Sequence, residues 1–378
     1  MTRADPHAIP LVSSESVERV RIAALRRGLL AWYRREARDL PWRRTRDPYR
    51  IWLSEIMLQQ TRVETVIPYY ERFTRVFPAV AALARAGEAR VLKLWEGLGY
   101  YSRARNLHAA AKTVAGEGSR WPRTAEEWRR LPGVGRYTAG AIASIAFGER
   151  APVLDGNVKR VLARLFEIER PIDEPKTAEL MWGIAESLVP PRSPGDFNQS
   201  LMELGACICV PRSPRCGECP VNGSCEAYAS GRQDELPRRR EKAAVPHHDV
   251  VAAAIERRGR ILIGKRPAGG LLGGLWEFPG GKVRRGEGRE AALRREIAEE
   301  LGRGIAVGPR LARVEHAYSH FRITLHVYRC SIDKGRPQAK FHAALRWVRP
   351  EEFERFAFPA ATLKAMRIFL PRERLRLP

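Results

Sequence analysis

The sequence predicts a multidomain protein in which an all-α region is followed by an α+β domain. From about Val17 to Ala229, apolar residues recur at intervals of three and four positions, which is typical of amphipathic helices. Residues 231–246 are polar, basic and bracketed by Gly231 and Pro246, as expected for a linker. After this segment the pattern becomes that of β-strands. We therefore expect a flexible N-terminal tail (1–17), a helical domain (18–229), a basic linker (230–246) and a C-terminal domain (247–378).

The C-terminal domain is predicted element by element from its turn and cap residues. Val250–Pro267 indicates two apolar strands joined around the turn Arg257–Arg260. Ala292–Gly302 then has the pattern of a helix that Gly302 ends. Phe321–Ile332 follows as a further apolar strand. This mixture of elements is the basis for the α+β class.

The charge of the chain limits the classes of partner. With 67 Lys and Arg against 43 Asp and Glu, the net charge of +24 favours a polyanion such as nucleic acid. The alternative is an incidentally basic surface from an arginine-rich composition. The sequence contains no run of about 18 apolar residues, so it predicts no membrane span. Its N-terminus lacks the pattern of a secretory signal. A cytoplasmic location is the default expectation.

Five of the six cysteines fall within nineteen residues, which indicates a metal centre. Four of them have the spacing C-x6-C-x2-C-x5-C, at Cys209, Cys216, Cys219 and Cys225. Disulfides are rare in a chain without an export signal, so we expect these thiolates to bind metal. A [4Fe-4S] cluster and a zinc ion both fit four thiolates, and the spacing alone does not decide between them.

A glycine-containing turn lies between two segments of helical pattern. In the string LPGVGRYTAG, Gly133 and Gly135 allow backbone N–H groups to face outward at the start of the next helix. A helix N-terminus carries partial positive charge and can bind a phosphate. This predicts a helix–hairpin–helix that binds DNA. The alternative is an ordinary tight turn between two helices.

Two carboxylates are candidates for acid–base chemistry. Glu55 lies in the apolar helical segment WLSEIMLQQT, where its helix neighbours are almost all apolar. Burial raises the pKa of such a carboxyl, so that it can remain protonated near neutral pH. The alternative is a buried glutamate paired with an arginine such as Arg43 or Arg62.

The second carboxylate, Asp155, directly precedes a predicted helix, for which we expect Asn157 to be the N-cap. Backbone donors at the helix end favour the ionised form of Asp155. A carboxylate in this form can stabilise positive charge on a sugar. The alternative is an aspartate that only caps the helix.

Four motifs together resemble the MutY family of adenine DNA glycosylases over roughly residues 38–228. They are SEIMLQQT, GLGYYSRARNLH, LPGVGRYTAG and LDGNVKRVL, and the cysteine spacing resembles the iron–sulfur loop of endonuclease III and MutY glycosylases. The resemblance implies a helix–hairpin–helix glycosylase fold with a [4Fe-4S] cluster in the 209–225 loop. It also implies that Glu55 is the general acid and that Asp155 stabilises the sugar cation.

The same resemblance assigns residues that contact the DNA. It places Glu203 and Arg43 at the adenine and its DNA, and Gln60 and Tyr100 as side chains that enter the duplex where the adenine leaves it. Tyr137 occupies the position at which lyase relatives carry a lysine that forms an imine. Because a phenol cannot form an imine, we expect cleavage without lyase activity.

The C-terminal region carries two further motifs. Tyr318, Ser319 and His320 begin a predicted strand and resemble the Phe-Ser-His loop with which MutY enzymes recognise 8-oxoguanine, with tyrosine in place of phenylalanine. Upstream, GKVRRGE followed by REIAEELG resembles the Nudix box, except that Arg303 replaces a final apolar residue. Glu296, Glu299 and Glu300 would share one helix face and could bind Mg²⁺ or Mn²⁺.

These acids distinguish the chain from the MutY family pattern, in which the Nudix-like domain normally lacks them. The main hypothesis is monofunctional excision of adenine paired with 8-oxoguanine or guanine in double-stranded DNA, by a monomer, as the family leads us to expect. The alternatives are an endonuclease III-like glycosylase/lyase, a Nudix nucleotide pyrophosphohydrolase, and a lesion sensor without catalytic activity.

Overall fold

A computed structural model describes residues 14–118, 120–241, 245–318, 320–332 and 334–370. Most of the predicted tail 1–17 lies outside the described residues, and α1 begins at Ser14. None of the described helices is long and apolar enough to cross a membrane. The helices are α1 Ser14–Glu36, α2 Pro48–Leu58, α3 Val63–Val76, α4 Val80–Arg85, α5 Glu88–Trp95, α6 Tyr101–Gly116, α7 Ala125–Trp128, α8 Arg136–Phe147, α9 Gly156–Leu165, α10 Pro175–Leu188, α11 Pro194–Cys207, α12 Glu226–Ala229, α13 Arg289–Leu301 and α14 Ala360–Phe369.

The described strands all lie after residue 246 and form one mixed sheet. The sheet centres on β1, which pairs in parallel with β6, while β5 pairs antiparallel with β6. One face of the sheet packs on α13 and the other on α14, since alternate residues of β1 belong to two separate apolar clusters. The strands are β1 His247–Arg257, β2 Arg260–Lys265, β3 Trp276–Glu277, β4 Gly280–Lys282, β5 Ile305–Ala317, β6 Arg322–Ile332 and β7 Ala344–Val348.

Three local predictions for the C-terminal region are confirmed. β1 and β2 form a hairpin in which Arg257 pairs with Arg260, and the two turn residues between them have positive φ, as a tight two-residue hairpin requires. The α13 helix ends at Gly302, whose φ of 62° is the left-handed cap conformation that glycine adopts without strain. The strand predicted at Phe321–Ile332 is β6.

The chain divides into two compact units at positions that differ from the predicted domain boundaries. Described residues up to Ile56, together with 120–241, form the first unit, and residues 57–118 and 245–370 form the second. The prediction assigned the segment 57–118 to the helical domain 18–229. Sequence periodicity identifies these residues as helices but does not indicate the surface on which they pack.

Hydrogen bonds explain why the segment 57–118 groups with the C-terminal region. Within the second unit, Lys93 Nζ donates to the carbonyl of Phe356 at 2.9 Å. The backbone N–H of Phe358 donates to the buried carboxylate of Glu96 at 2.8 Å. The hydroxyl of Tyr101 donates to the carbonyl of Phe358 at 3.1 Å.

The first part of the predicted linker 230–246 is packed on the first unit. Leu236 is buried, and the guanidinium of Arg164 donates to its carbonyl at 2.9 Å. Arg232 forms ion pairs with Glu167 and Glu169. The first part of this segment thus uses its arginine for ion pairs, and the boundary between the two compact units falls after residue 241.

The α2 helix is apolar on every side and carries one acid. Its residues from Ile51 to Met57 are all buried, including Glu55. The indole of Trp52 packs against Trp128 and Trp121 with ring centroids 5.7 and 6.2 Å apart. Because a helix that is apolar all round lies in a core, its single carboxyl group is removed from water.

Candidate active site

Glu55 is buried and hydrogen-bonded within the first unit. Only 6% of the residue is exposed, and one carboxylate oxygen lies 2.9 Å from the hydroxyl of Tyr137. The pKa of Glu55 is raised from its ordinary 4.5 to about 7, mainly by burial and in smaller part by the negative charge of Asp155. The hydrogen bond from Tyr137 and the charge of Arg43 act in the opposite direction. Glu55 can therefore hold or release a proton near neutral pH.

Tyr137 lies one residue into the α8 helix and faces both Glu55 and the α11 helix. Its hydroxyl is 3.2 Å from the sulfur of Met202. Burial, followed by the charges of Glu55 and Asp155, raises the pKa of Tyr137 well above its ordinary 10. The side chain is therefore a neutral phenol throughout the physiological range.

Asp155 is itself the N-cap of α9, which corrects the prediction that Asn157 occupies this position. The backbone N–H of Val158 donates to one carboxylate oxygen at 2.7 Å, and the Asn157 amide lies 3.3 Å from the other. Burial nevertheless raises the pKa of Asp155, because desolvation outweighs these donors. Backbone donors thus favour the ionised form, as the sequence predicted, without lowering the pKa overall.

The cap of α9 is connected to the cysteine loop through Arg160. Its guanidinium donates to the Asn157 side chain at 2.9 Å and to the carbonyl of Gly205 at 2.6 Å. The same guanidinium donates to the carbonyl of Cys209 at 2.7 Å. One buried arginine therefore joins Asn157, two residues after Asp155, to the first cysteine of the loop.

Glu203 lies in an ion-pair cluster with Arg38 and Arg43. Arg38 donates to both carboxylate oxygens at 2.8 Å, and Arg43 donates to one of them at 2.7 Å. Burial alone would raise the pKa of Glu203, but these hydrogen bonds lower it to about 2. The predicted roles of Glu203 and Arg43 at adenine and DNA stay predictions, since the two residues here bind each other.

The predicted hairpin connects α7 to α8. Gly133 has φ of 76°, a conformation that glycine adopts without strain, and Gly135 is the exposed N-cap residue of α8. The turn therefore places the N-terminus of a twelve-residue helix next to exposed glycine backbone. Phosphate binding by this hairpin stays a prediction.

The four cysteines of the loop come together in the first unit. Cys209, Cys216, Cys219 and Cys225 line one small apolar cavity. None of the six cysteines of the chain, all within the described residues, forms a disulfide. Arg164 Nη1 lies 3.3 Å from the sulfur of Cys209, and such a donor stabilises a thiolate ligand. The loop therefore brings four thiols to one cavity, and an iron–sulfur cluster would be held by these four sulfur atoms.

Gln60 and Tyr100 lie in two turns of the second unit. Gln60 follows the end of α2, and Tyr100 directly precedes α6. Both have left-handed backbone conformations, with φ of 56° and 46°. Because few residues other than glycine adopt this region, both turns are held by their surroundings.

The predicted 8-oxoguanine loop is a turn between two strands rather than the beginning of a strand. Tyr318 and His320 lie between β5 and β6, and the N–H of Tyr318 donates to the carbonyl of Phe321 at 2.9 Å. The Tyr318 ring packs on Phe321 with centroids 4.8 Å apart, whereas His320 is exposed. Ser319 lies outside the described residues.

The acids of the Nudix-like motif line a cavity of about 640 Å³ in the second unit, and Tyr318 forms part of the same wall. Arg295 forms ion pairs with Glu296 at 2.8 Å and with Glu299 at 3.4 Å. Burial raises the pKa of Glu300 to about 7. Within the described part of the chain, no three His, Cys, Asp or Glu side chains are grouped so as to hold a metal ion, and this applies to these acids and to the four loop cysteines alike.

Sequence patterns did not identify Arg38 or Met202 as parts of this site. Arg38 reaches Glu203 across 165 residues, and Met202 reaches Tyr137 across 65. Spacing along one helix indicates neighbours three or four positions apart, but not partners on another helix. The basic run RDLPWRR around these arginines was the only signal that charge is concentrated there.

Three known families match consecutive parts of the chain. Residues 53–187 match the HhH-GPD superfamily base excision DNA repair protein family. Residues 209–225 match the iron–sulfur binding domain of endonuclease III, and residues 250–367 match the NUDIX domain. The chain therefore has a helical HhH-GPD part, an iron–sulfur motif and a C-terminal NUDIX domain.

Curated relatives and a solved structure extend the similarity. The human adenine DNA glycosylase is 38% identical over 92% of this chain and 74% of its own length. The adenine DNA glycosylase of Schizosaccharomyces pombe is 34% identical over 85% of this chain and 84% of its own. The structure of a thermostable thymine-DNA glycosylase, at 32% identity and a TM-score of 0.52, covers 57% of this chain and 99% of that one.

Proposed function

The chain belongs to the adenine DNA glycosylase family, and we propose that it hydrolyses the N-glycosidic bond of adenine paired with 8-oxoguanine or guanine in double-stranded DNA. The family membership makes it a DNA glycosylase of base excision repair that binds DNA and carries an iron–sulfur cluster. The observation that carries the proposal is Glu55, a buried carboxyl whose pKa of about 7 suits a general acid at neutral pH.

Adenine leaves more easily once it is protonated, and Glu55 is the proton donor in this proposal. In this proposal Asp155 bears the negative charge, because it accepts a backbone N–H that favours its carboxylate form, although burial raises its pKa overall. That charge keeps the proton on Glu55 and stabilises the positive charge that develops on the sugar as the bond breaks. A water molecule then adds to the sugar and completes the hydrolysis.

Tyr137 supports a monofunctional reaction. Its neutral phenol cannot form an imine with the sugar, so the enzyme leaves an intact strand with an abasic site. The hydrogen bond between Tyr137 and Glu55 orients the acid. An endonuclease III-like glycosylase/lyase would instead require an amine at this place.

We assign the four cysteines to a [4Fe-4S] cluster, because they line one cavity and Arg164 stabilises the thiolate of Cys209. Once bound, the cluster supplies a rigid centre that holds the 209–225 loop. Monomeric action is part of the proposal and follows from the family expectation alone.

Recognition of the DNA is assigned by the resemblance of the motifs. Gln60 and Tyr100 enter the duplex, Glu203 and Arg43 bind the extruded adenine and its strand, and the Gly133–Gly135 hairpin binds phosphate. Tyr318, Ser319 and His320 contact the 8-oxoguanine. For Glu203 to bind a base, its hydrogen bonds with Arg38 and Arg43 must rearrange or be shared.

The deciding experiment is incubation of the full chain with a duplex that contains one adenine opposite 8-oxoguanine. Strand scission that appears only after hot alkali supports base removal without lyase activity. Scission before alkali supports the lyase alternative, and binding without excision supports the lesion sensor. Glu55→Gln should abolish excision, whereas the exposed Glu71→Gln on α3 is the matched control and should not.

A second candidate function belongs to the cavity of the second unit. Glu277, Glu296, Glu299 and Glu300 all line this cavity, whose volume of about 640 Å³ lies in the range of small-molecule sites. Carboxylates are the ligands that Mg²⁺ and Mn²⁺ prefer, and these four would have to approach one another to bind such an ion together with a nucleoside triphosphate. In this reaction water attacks a phosphorus atom, the P–O–P bond breaks, and a nucleoside monophosphate and pyrophosphate are released.

This candidate is tested on the full chain with Mg²⁺ and oxidised dGTP, and the released monophosphate is measured. Activity that Glu299→Gln abolishes and Glu290→Gln retains supports the candidate, since Glu290 lies on the same helix but is exposed outside the cavity. Glu55→Gln should leave this activity unchanged. Absence of turnover leaves the domain with lesion recognition alone.

A further inference from the structure

Two turns of the second unit are joined by one buried arginine. Gln60 and Tyr100 each have a left-handed backbone that needs external support. Arg103, on the first turn of α6, lies between the two turns and is only 9% exposed. No pattern in the sequence indicated a role for this residue.

The guanidinium of Arg103 donates hydrogen bonds to the backbone of both turns. Its Nη1 donates to the carbonyls of Met57 and Gln59 at 3.0 and 2.6 Å. Its Nη2 donates to the carbonyls of Leu98 and Gly99 at 3.1 and 3.2 Å. Nη1 therefore fixes the backbone within the three residues before Gln60, and Nη2 fixes the two residues before Tyr100.

Arg103 also contacts two aromatic rings and the side chain of Thr61. The guanidinium carbon lies 5.3 Å from the ring centroid of Trp95 and 5.4 Å from that of Tyr100. Nη2 also lies 3.3 Å from the hydroxyl of Thr61, directly after Gln60. Burial lowers the pKa of Arg103 to about 10, so that the side chain remains charged at neutral pH.

A buried charge is costly, and a structure retains one only when many polar atoms surround it. The planar fork of arginine can bond to two separate turns at once, whereas the ammonium of lysine is a single point on a flexible stem. The geometry, and not the charge alone, therefore requires arginine at this position.

We infer that Arg103 is the positioning residue that holds Gln60 and Tyr100 in one fixed arrangement, so that both side chains enter the duplex together when the target base is extruded. This inference rests on the proposed glycosylase function. Arg103 touches neither the base nor the sugar in this account, and acts only through the two turns.

The test compares Arg103→Lys with the wild type and with Arg75→Lys, an exposed arginine on α3 that serves as the matched control. Both variants retain their charge, so the Kd for DNA should change by less than about threefold. Arg103→Lys should lower the single-turnover rate of adenine excision by about 100-fold, because a small misplacement of positioning groups is enough for such a loss. A 2-aminopurine at the target position reports extrusion, and its fluorescence increase on binding should fall in parallel.

A double-mutant comparison separates positioning from a general structural role. If Arg103 acts through the two turns, then Arg103→Lys should have little further effect in a chain that already carries Gln60→Ala and Tyr100→Ala. An undiminished extrusion signal in Arg103→Lys, or the same loss of rate in both backgrounds, overturns the inference. The proposed function is judged separately, by the wild type. If the wild type excises adenine, the proposed function stands even when the inference about Arg103 fails; if it does not, the proposed function is wrong.

Discussion

Replacement of Glu55 by glutamine should abolish excision and at the same time stabilise the protein at alkaline pH. The carboxyl is buried, and its pKa is raised from 4.5 to about 7. In the unfolded chain the same group ionises near 4.5. As the pH rises between these values, the folded state holds a proton that the unfolded state has lost, and folding becomes progressively less favourable.

The magnitude follows from the two pKa values. At about 1.4 kcal/mol per pH unit, the interval from 4.5 to about 7 corresponds to about 3 kcal/mol. This stability is present below pH 4.5 and is lost as the pH rises through about 7. Glutamine cannot ionise, so the variant should exceed the wild type by about 3 kcal/mol at pH ~8.5, with a much smaller difference at pH ~5.

The assay is chemical unfolding of both proteins at several pH values under anaerobic conditions, with excision rates measured on the same samples. The wild-type single-turnover rate should fall about tenfold per pH unit above about pH 7, as the acid loses its proton. Glu71→Gln should follow the wild type in both measurements. A stability difference that does not vary with pH, or a wild-type rate that rises between about pH 7 and 8.5, would refute the reasoning.

Three further predictions concern the same unit. Asp155→Asn should keep the helix cap and change stability by less than about 1 kcal/mol, while the excision rate falls by about 100-fold or more; thermal melting and single-turnover kinetics measure the two effects. Glu203→Gln should lower the free energy of unfolding at neutral pH by about 3 kcal/mol, because two arginines lose a buried partner; an unchanged unfolding midpoint contradicts this. Cys219→Ser should remove the visible absorbance of the iron–sulfur cluster, and the exposed Ser230→Ala provides the control.

Sequence patterns predicted local structure well, both at Glu55 and in the C-terminal region. A single acid in an apolar helix implied the burial of Glu55, and the structure confirms it. Gly302 ends α13, as the sequence predicted, and the predicted hairpin turns between Arg257 and Arg260. Each of these inferences depends on residues within a few positions of one another, where backbone geometry decides the outcome.

Partners that are distant along the chain were not predictable in this way. Glu203 is bound by Arg38 and Arg43 from more than 150 residues away, and Arg103 joins turns that lie about 40 residues apart. Nothing in the spacing of charged residues identifies which helix faces which. The cap of α9 was also assigned two residues too late, because Asp155 and Asn157 are equally good N-cap residues by type.

The grouping of residues 57–118 with the C-terminal sheet has a consequence for dissection of the protein into fragments. A truncation after residue 241 would keep the cysteines, Glu55 and Asp155, yet it would remove Phe358, whose N–H is bonded to the buried carboxylate of Glu96. Lys93, Glu96 and Tyr101 would then lose the backbone partners that Phe356 and Phe358 provide in the intact chain. A chimaera of two related proteins should therefore take the segment 57–118 and the C-terminal region from the same parent.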